Sequence, residues 1–176
     1  MCLKIDSDAS YLVAPRSKSR IGGYFYLGSH PISPKFTPPC LNGPIHIECK
    51  LLKHVVSSAA EAETSGIFQN CQAAIPIQRM LHTLGHPQPP TPIKTDNKTA
   101  SAFANNTLQS KRSKSWDMRY FWIKDKITEG EFLVYWDKGL HNFADYFTKH
   151  FPPNYHQKIR STYVLQGHCI TLPLIS

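Results

Sequence analysis

Residues 55–76 read Val-Val-Ser-Ser-Ala-Ala-Glu-Ala-Glu-Thr-Ser-Gly-Ile-Phe-Gln-Asn-Cys-Gln-Ala-Ala-Ile-Pro, and their spacing decides the fold class. Val56, Ala59, Ala60, Glu63, Ile67, Cys71 and Ala74 recur at three and four residues, which puts them on one face of a helix that starts near Ser57 or Ser58. The helical spacing runs on to Leu84, and Pro76 is expected to kink or split the helix because it has no N–H to donate. Before this segment the period is two. Ile45, Ile47 and Cys49 alternate with His46, Glu48 and Lys50; Tyr24 to Leu27 forms an earlier strand flanked by Gly22, Gly23 and Gly28; Leu3, Ile5 and Asp8 mark the first. Three strands joined by turns predict an antiparallel meander.

After the long helix the pattern alternates again. Ile93-Lys94-Thr95 reads as a short strand ending at Asp96, residues 98–105 as a short helix, 114–128 as a helix carrying Trp116, Tyr120, Ile123 and Ile127, Phe132–Trp136 as a strand and 141–150 as a last helix. The order β-β-β-α-β-α-α-β-α predicts an α/β domain, a mixed sheet flanked by helices. Pro-rich breaks fall at 29–44, 85–92 and Pro152-Pro153.

Four acids stand where such a sheet gathers them: Asp8 on the first strand, Glu63 on the long helix, Asp96 at the end of the fourth strand and Asp145 on the last helix. The first and fourth strands are expected side by side, where the topology changes direction and open sheets form their sites. Several hard carboxylate oxygens with no cysteine or histidine mate suit Mg²⁺. Glu61 and Glu63 are two residues apart on the helix, so both cannot face the sheet, and the apolar residues are on Glu63's side. A carboxylate there costs several kcal/mol of desolvation unless a cation accompanies it, either a metal ion or a neighbouring Lys or Arg.

Lys and Arg number 20 and Asp and Glu 12, giving a net charge of +8 that favours polyanionic partners. Residues 109–126 hold six basic side chains against two acidic ones, interleaved with Trp116, Tyr120, Phe121 and Trp122. The aromatic residues are expected in the core. Lys111, Arg112, Lys114 and Arg119 are the candidates for nucleic-acid phosphates. Five scattered cysteines, odd in number and without C-x-x-C, argue against a disulfide framework or a cysteine zinc site. Histidine pairs 82/86 and 150/156 are interrupted by Gly and Pro and do not make a zinc site either. No apolar run reaches membrane-spanning length and no signal peptide is visible, so an intracellular place, cytoplasmic or nuclear, is expected.

The segments Ser7-Asp8-Ala9-Ser10-Tyr11, Gly22-Gly23-Tyr24-Phe25-Tyr26-Leu27-Gly28, Ser57-Ser58-Ala59-Ala60-Glu61-Ala62-Glu63, Thr95-Asp96-Asn97, Arg112-Ser113-Lys114 with Asp117-Met118-Arg119, and Asn142 to Lys149 closely resemble the ribonuclease H domain at the end of copia-type retrotransposon Pol polyproteins. The resemblance covers about residues 3–155 and implies the ribonuclease H-like mixed five-stranded sheet, with residues 156–176 as a tail outside it. It implies cleavage of the RNA strand of RNA–DNA hybrids with two Mg²⁺ ions, or Mn²⁺ in their place. Its catalytic and metal-holding acids fall on Asp8, Glu63, Asp96 and Asp145, with Glu61 as the alternative match in the E-A-E run. Asp8 would bridge both ions, Glu63 and Asp96 complete one site, and Asp145 the more open one. The implied partners are a hybrid duplex and an upstream reverse transcriptase domain that this chain does not contain. The alternative function is a catalytically silent nucleic-acid-binding remnant of such a polyprotein. A transposase or integrase nuclease fits less well, because the glutamate-bearing helix lies between the first two aspartates.

Overall fold

In the computed structural model, residues 1–28, 43–105, 114–139 and 142–164 are described. Five strands form one mixed sheet: β1 (Cys2–Ala14), β2 (Lys18–Gly28), β3 (His46–Leu51), β4 (Thr91–Thr95) and β5 (Phe132–Trp136), in the order β3-β2-β1-β4-β5. The β1-β2-β3 meander is antiparallel, whereas β4 runs parallel to both β1 and β5. First and fourth strands are thus neighbours, as the sequence predicted. The helices are α1 (Ala59–Thr83), α2 (Lys98–Ala104), α3 (Lys114–Thr128), α4 (Asp145–Thr148) and α5 (Pro153–Tyr163).

Odd-numbered side chains of β1 and even-numbered ones serve different layers. Leu3 and Ile5 join Phe25, Ile67, Cys71, Ile93, Ile123 and Val134 in the main core beneath α1 and α3. Phe68 and Trp122 meet edge to face at 5.1 Å where α1 crosses α3. On the opposite face Tyr24 packs against Phe143, Phe147 and Tyr163, so a second, aromatic layer holds α4 and α5 to the sheet.

Several boundaries differ from the sequence reading. The first two strands are longer than expected and extend into a hairpin that turns at Arg16 and Ser17, both with positive φ. Gly22 and Gly23 are inside β2 rather than at its flank, because neighbours approach too closely for a side chain. A Cβ on Gly23 would lie 2.3 Å from Asn70 Oδ1, and one on Gly22 would lie 2.9 Å from the Ala144 carbonyl oxygen. Helix α1 is unbroken through Pro76. Pro76 and Gln72 are both exposed, so the carbonyl that loses its partner faces water. The buried stripe of α1 includes Ala62, Glu63, Gly66, Ile67, Asn70, Cys71 and Ala74, while Ala59 is exposed.

The last two helices also need correction. Instead of a helix over 141–150, α4 is four residues long, and Lys149 after it is extended. Pro152-Pro153 does not end regular structure but opens α5, with proline at the first turn where its missing N–H costs nothing. The expected boundary after residue 155 therefore falls within α5. Tyr163, eight residues further on, stacks on Tyr146 at 4.7 Å and donates its hydroxyl to the Phe143 carbonyl at 2.9 Å. Among the described residues no helix is long and apolar enough to cross a membrane, and Cys2, Cys49 and Cys71 are free.

Candidate functional site

Asp8 is on β1 with its side chain on the face that carries α4, opposite Gly22 of β2. Asp96 immediately follows β4, and Asp145 opens α4. One carboxylate oxygen from each of Asp8, Asp96 and Asp145 lies within 4.8 Å of the others. Two local features draw α4 to this position. The Asn142 amide donates to the Ser7 carbonyl at 2.9 Å, and its Oδ1 accepts the Ala144 N–H at 3.1 Å. The absence of a side chain on Gly22 lets Ala144 and Thr148 sit directly over β2.

Glu63 approaches from α1. It is buried, its Oε1 accepts the Ala9 N–H at 3.1 Å, and its Oε2 has no hydrogen-bond partner. Burial raises the Glu63 pKa well above the ordinary carboxylate value, and the charges of Asp8 and Asp96 raise it further. Glu61 has a different task. Ser58 caps α1 by accepting the Glu61 N–H at 3.2 Å, while the Glu61 carboxylate accepts the Ser57 N–H at 2.7 Å and the Ser57 hydroxyl at 2.8 Å. This is a capping box shifted by one residue.

The electrostatics are those of like charges held together. Burial pushes Asp8 up to about 7, with Asp145 and Asp96 adding to the rise and the Thr148 hydroxyl and Lys149 opposing it. Asp96 is raised by burial and by Asp145. Thr148 donates to Asp8 Oδ2, and Lys149 Nζ sits 2.6 Å from Asp145 Oδ2. Asp145 Oδ1, like Glu63 Oε2, is buried without a partner. Orphaned carboxylate oxygens on Asp145 and Glu63, with the Asp8, Asp96 and Asp145 oxygens gathered together, make an all-oxygen donor set that fits a hard divalent cation.

Thirty per cent of residues are identical over 112 positions to the retrovirus-related Pol polyprotein from transposon TNT 1-94 of Nicotiana tabacum, a match covering 64% of this chain and 8% of that polyprotein. No family model matches the sequence. Among solved structures, the N-terminal ribonuclease H domain of a Mycobacterium tuberculosis protein superposes with a TM-score of 0.58 at 13% identity, over 83% of this chain and 89% of that one. LC11-RNase H1, isolated from compost and solved in complex with an RNA/DNA hybrid, superposes with a TM-score of 0.59 at 11% identity, over 82% and 92%. The chain has a ribonuclease H fold. Its resemblance to the retrotransposon Pol family, first read from the motifs, is borne out by the sequence match, although the chain spans less than a tenth of that relative's length.

On this ribonuclease H fold, three of the four expected acids converge directly, and Glu63 faces them from α1. Of the basic candidates, Lys111 and Arg112 lie outside the described residues, and Lys114 opens α3. Arg119 is half-buried between α3 and the start of α1, where its Nη1 lies 2.8 Å from His54 Nε2 and 3.4 Å from Ser65 Oγ. Burial and the Arg119 charge lower the His54 pKa. The ring is therefore held neutral and accepts from the guanidinium.

Sequence reasoning passed over Asp6, Thr148 and Lys149. Asp6 shares a strand face with Asp8, and that i, i+2 spacing was a readable signal. It is fully buried, paired with Lys94 at 2.8 Å, and accepts the Phe143 N–H at 3.0 Å, which ties the segment before α4 to the sheet. Thr148 and Lys149 follow Asp145 by three and four residues, the helical distance at which side chains meet.

Proposed function

We propose that this domain is a Mg²⁺-dependent endoribonuclease that cleaves the RNA strand of RNA–DNA hybrids. The observation that supports this most is the meeting of Asp8, Asp96 and Asp145 oxygens within 4.8 Å on a ribonuclease H fold. Asp8, Glu63, Asp96 and Asp145 are the residues that would hold the metal, with Mn²⁺ as a substitute. A divalent cation there supplies charge stabilisation at the scissile phosphate and acidifies water for attack. The protein's own residues fix the frame. Thr148 orients the Asp8 carboxylate, Glu63 is anchored by the Ala9 N–H, and the Asn142 amide holds the α4 entry against β1.

Lys111, Arg112 and Lys114 are assigned to duplex phosphates, and Arg119, whose described partners are neutral acceptors, keeps its charge for the same polyanion. A reverse transcriptase region is the expected covalent neighbour, since the matched relative is a Pol polyprotein. One observation favours the second reading, a catalytically silent binding domain: Lys149 already compensates charge in the acid cluster. Hydrolysis of labelled RNA–DNA hybrid, duplex RNA and duplex DNA with Mg²⁺ tests the proposal. Cleavage of the RNA strand of the hybrid alone is expected. Binding of the hybrid without cleavage would favour the silent domain.

A further inference from the structure

We propose that Lys149 is the acid cluster's built-in counter-ion, and that a divalent cation can bind at Asp145 only by displacing the Lys149 ammonium. The proposal rests on the reading that these acids hold a metal, and it concerns what the protein does before the metal arrives.

The geometry starts from the backbone. Asp145 and Lys149 are four residues apart, and the Lys149 N–H closes the single turn of α4 by donating to the Asp145 carbonyl at 3.1 Å. That turn brings Nζ to 2.6 Å from Asp145 Oδ2, while Oδ1 of the same carboxylate is left without a partner. Lys94, also near this face, is paired with Asp6 at 2.8 Å. Among the described residues, Lys149 is a cation whose charge acts on Asp8, Glu63 and Asp96 as well as Asp145.

Carboxylates gathered in a buried site repel and would destabilise the fold without a cation. Lys149 supplies that cation in metal-free protein. An ammonium on a flexible stem is a compact charge that solvates readily, and the Lys149 side chain is 43% exposed, so a route to water is open. A metal ion on Asp145 and an ammonium 2.6 Å from the same carboxylate would repel strongly. The lysine must swing out, and the fold trades one counter-ion for another.

Thermal melts and Mg²⁺ calorimetry on the full chain, wild type against Lys149→Met, Lys149→Gln and Lys149→Arg, test this. In EDTA the Met and Gln variants should melt below wild type, whereas Lys149→Arg, which keeps the charge, should not. The same two variants should bind Mg²⁺ roughly fivefold more tightly, the scale of a partly exposed ion pair. A variant that folds only with Mg²⁺ present would support the proposal, as would Mg²⁺ binding gained by a variant over a non-binding wild type. Equal Mg²⁺ affinity in wild type and Lys149→Gln would overturn the displacement while leaving the metal site standing. Absence of binding in all four proteins would overturn the metal reading and the displacement with it.

Discussion

Glu63 Oε1 accepts the Ala9 N–H at 3.1 Å, so helix α1 is fastened to β1 one residue beyond Asp8. The bond makes the two acids from different elements a single unit. It also separates the roles of the E-A-E pair, because Glu61 caps the helix through Ser57 while Glu63 faces the cluster. Glu63→Gln keeps an acceptor for Ala9 and removes a repelled charge; the metal-free protein should melt at or above wild type, and the Mg²⁺-induced rise in Tm should shrink. Glu61→Ala should cost about 1 kcal/mol in urea unfolding through the lost cap, with hybrid cleavage per folded molecule unchanged.

Asp8 titrates at about 7, against an ordinary value of 3.8. The folded state therefore holds this proton more tightly than the unfolded chain does. The resulting stabilisation is full below about pH 4 and is lost as pH rises through about 7. In EDTA, Tm should fall between pH 5 and pH 8, and Asp8→Asn should flatten that slope. A Tm profile identical in wild type and Asp8→Asn would contradict the assignment of the shift to Asp8.

Gly22 holds open the space beneath α4. An Ala there would meet Thr148 Cγ2 at 2.7 Å and the Ala144 carbonyl at 2.9 Å, so α4 must move with Asp145 on it. Gly22→Ala should cost about 1–3 kcal/mol, as overpacking does, and should weaken the Mg²⁺ response more than its stability loss accounts for. Urea unfolding and calorimetry in parallel separate the two effects.

Lys94 and Asp6 form a buried pair at 2.8 Å, and Asp6 Oδ1 has no partner. Lys94→Met strands the Asp6 charge and should destabilise the protein by about 3–5 kcal/mol. Adding Asp6→Asn should recover part of that loss, which a double-mutant cycle measures.

The sheet and the acids were legible because their signals are local or periodic. Alternation located β3, the three-and-four spacing of Ile67, Cys71 and Ala74 located α1, and helix geometry separated Glu63 from Glu61. What escaped depends on tertiary proximity. Gly22 and Gly23 read as strand breakers until Asn70 and Ala144 are seen to lie against them. Pro152-Pro153 read as an end because proline at a helix's first turn looks like proline in a loop. Helix α5 is held by aromatic contacts from Tyr163 to Phe143 and Tyr146, which no short-range pattern announces. Lys149 stood in view four residues from Asp145, yet its part emerges only when Asp8 and Asp96 arrive from two strands.

The most direct test of the account is single-turnover hydrolysis of an end-labelled RNA–DNA hybrid with Mg²⁺, wild type and Asp8→Asn side by side. The account predicts cleavage of the RNA strand by wild type and a loss on the order of a thousandfold in the variant, the equivalent of several kcal/mol of stabilisation at the scissile phosphate. Full hydrolysis by Asp8→Asn, with wild type active, would contradict it.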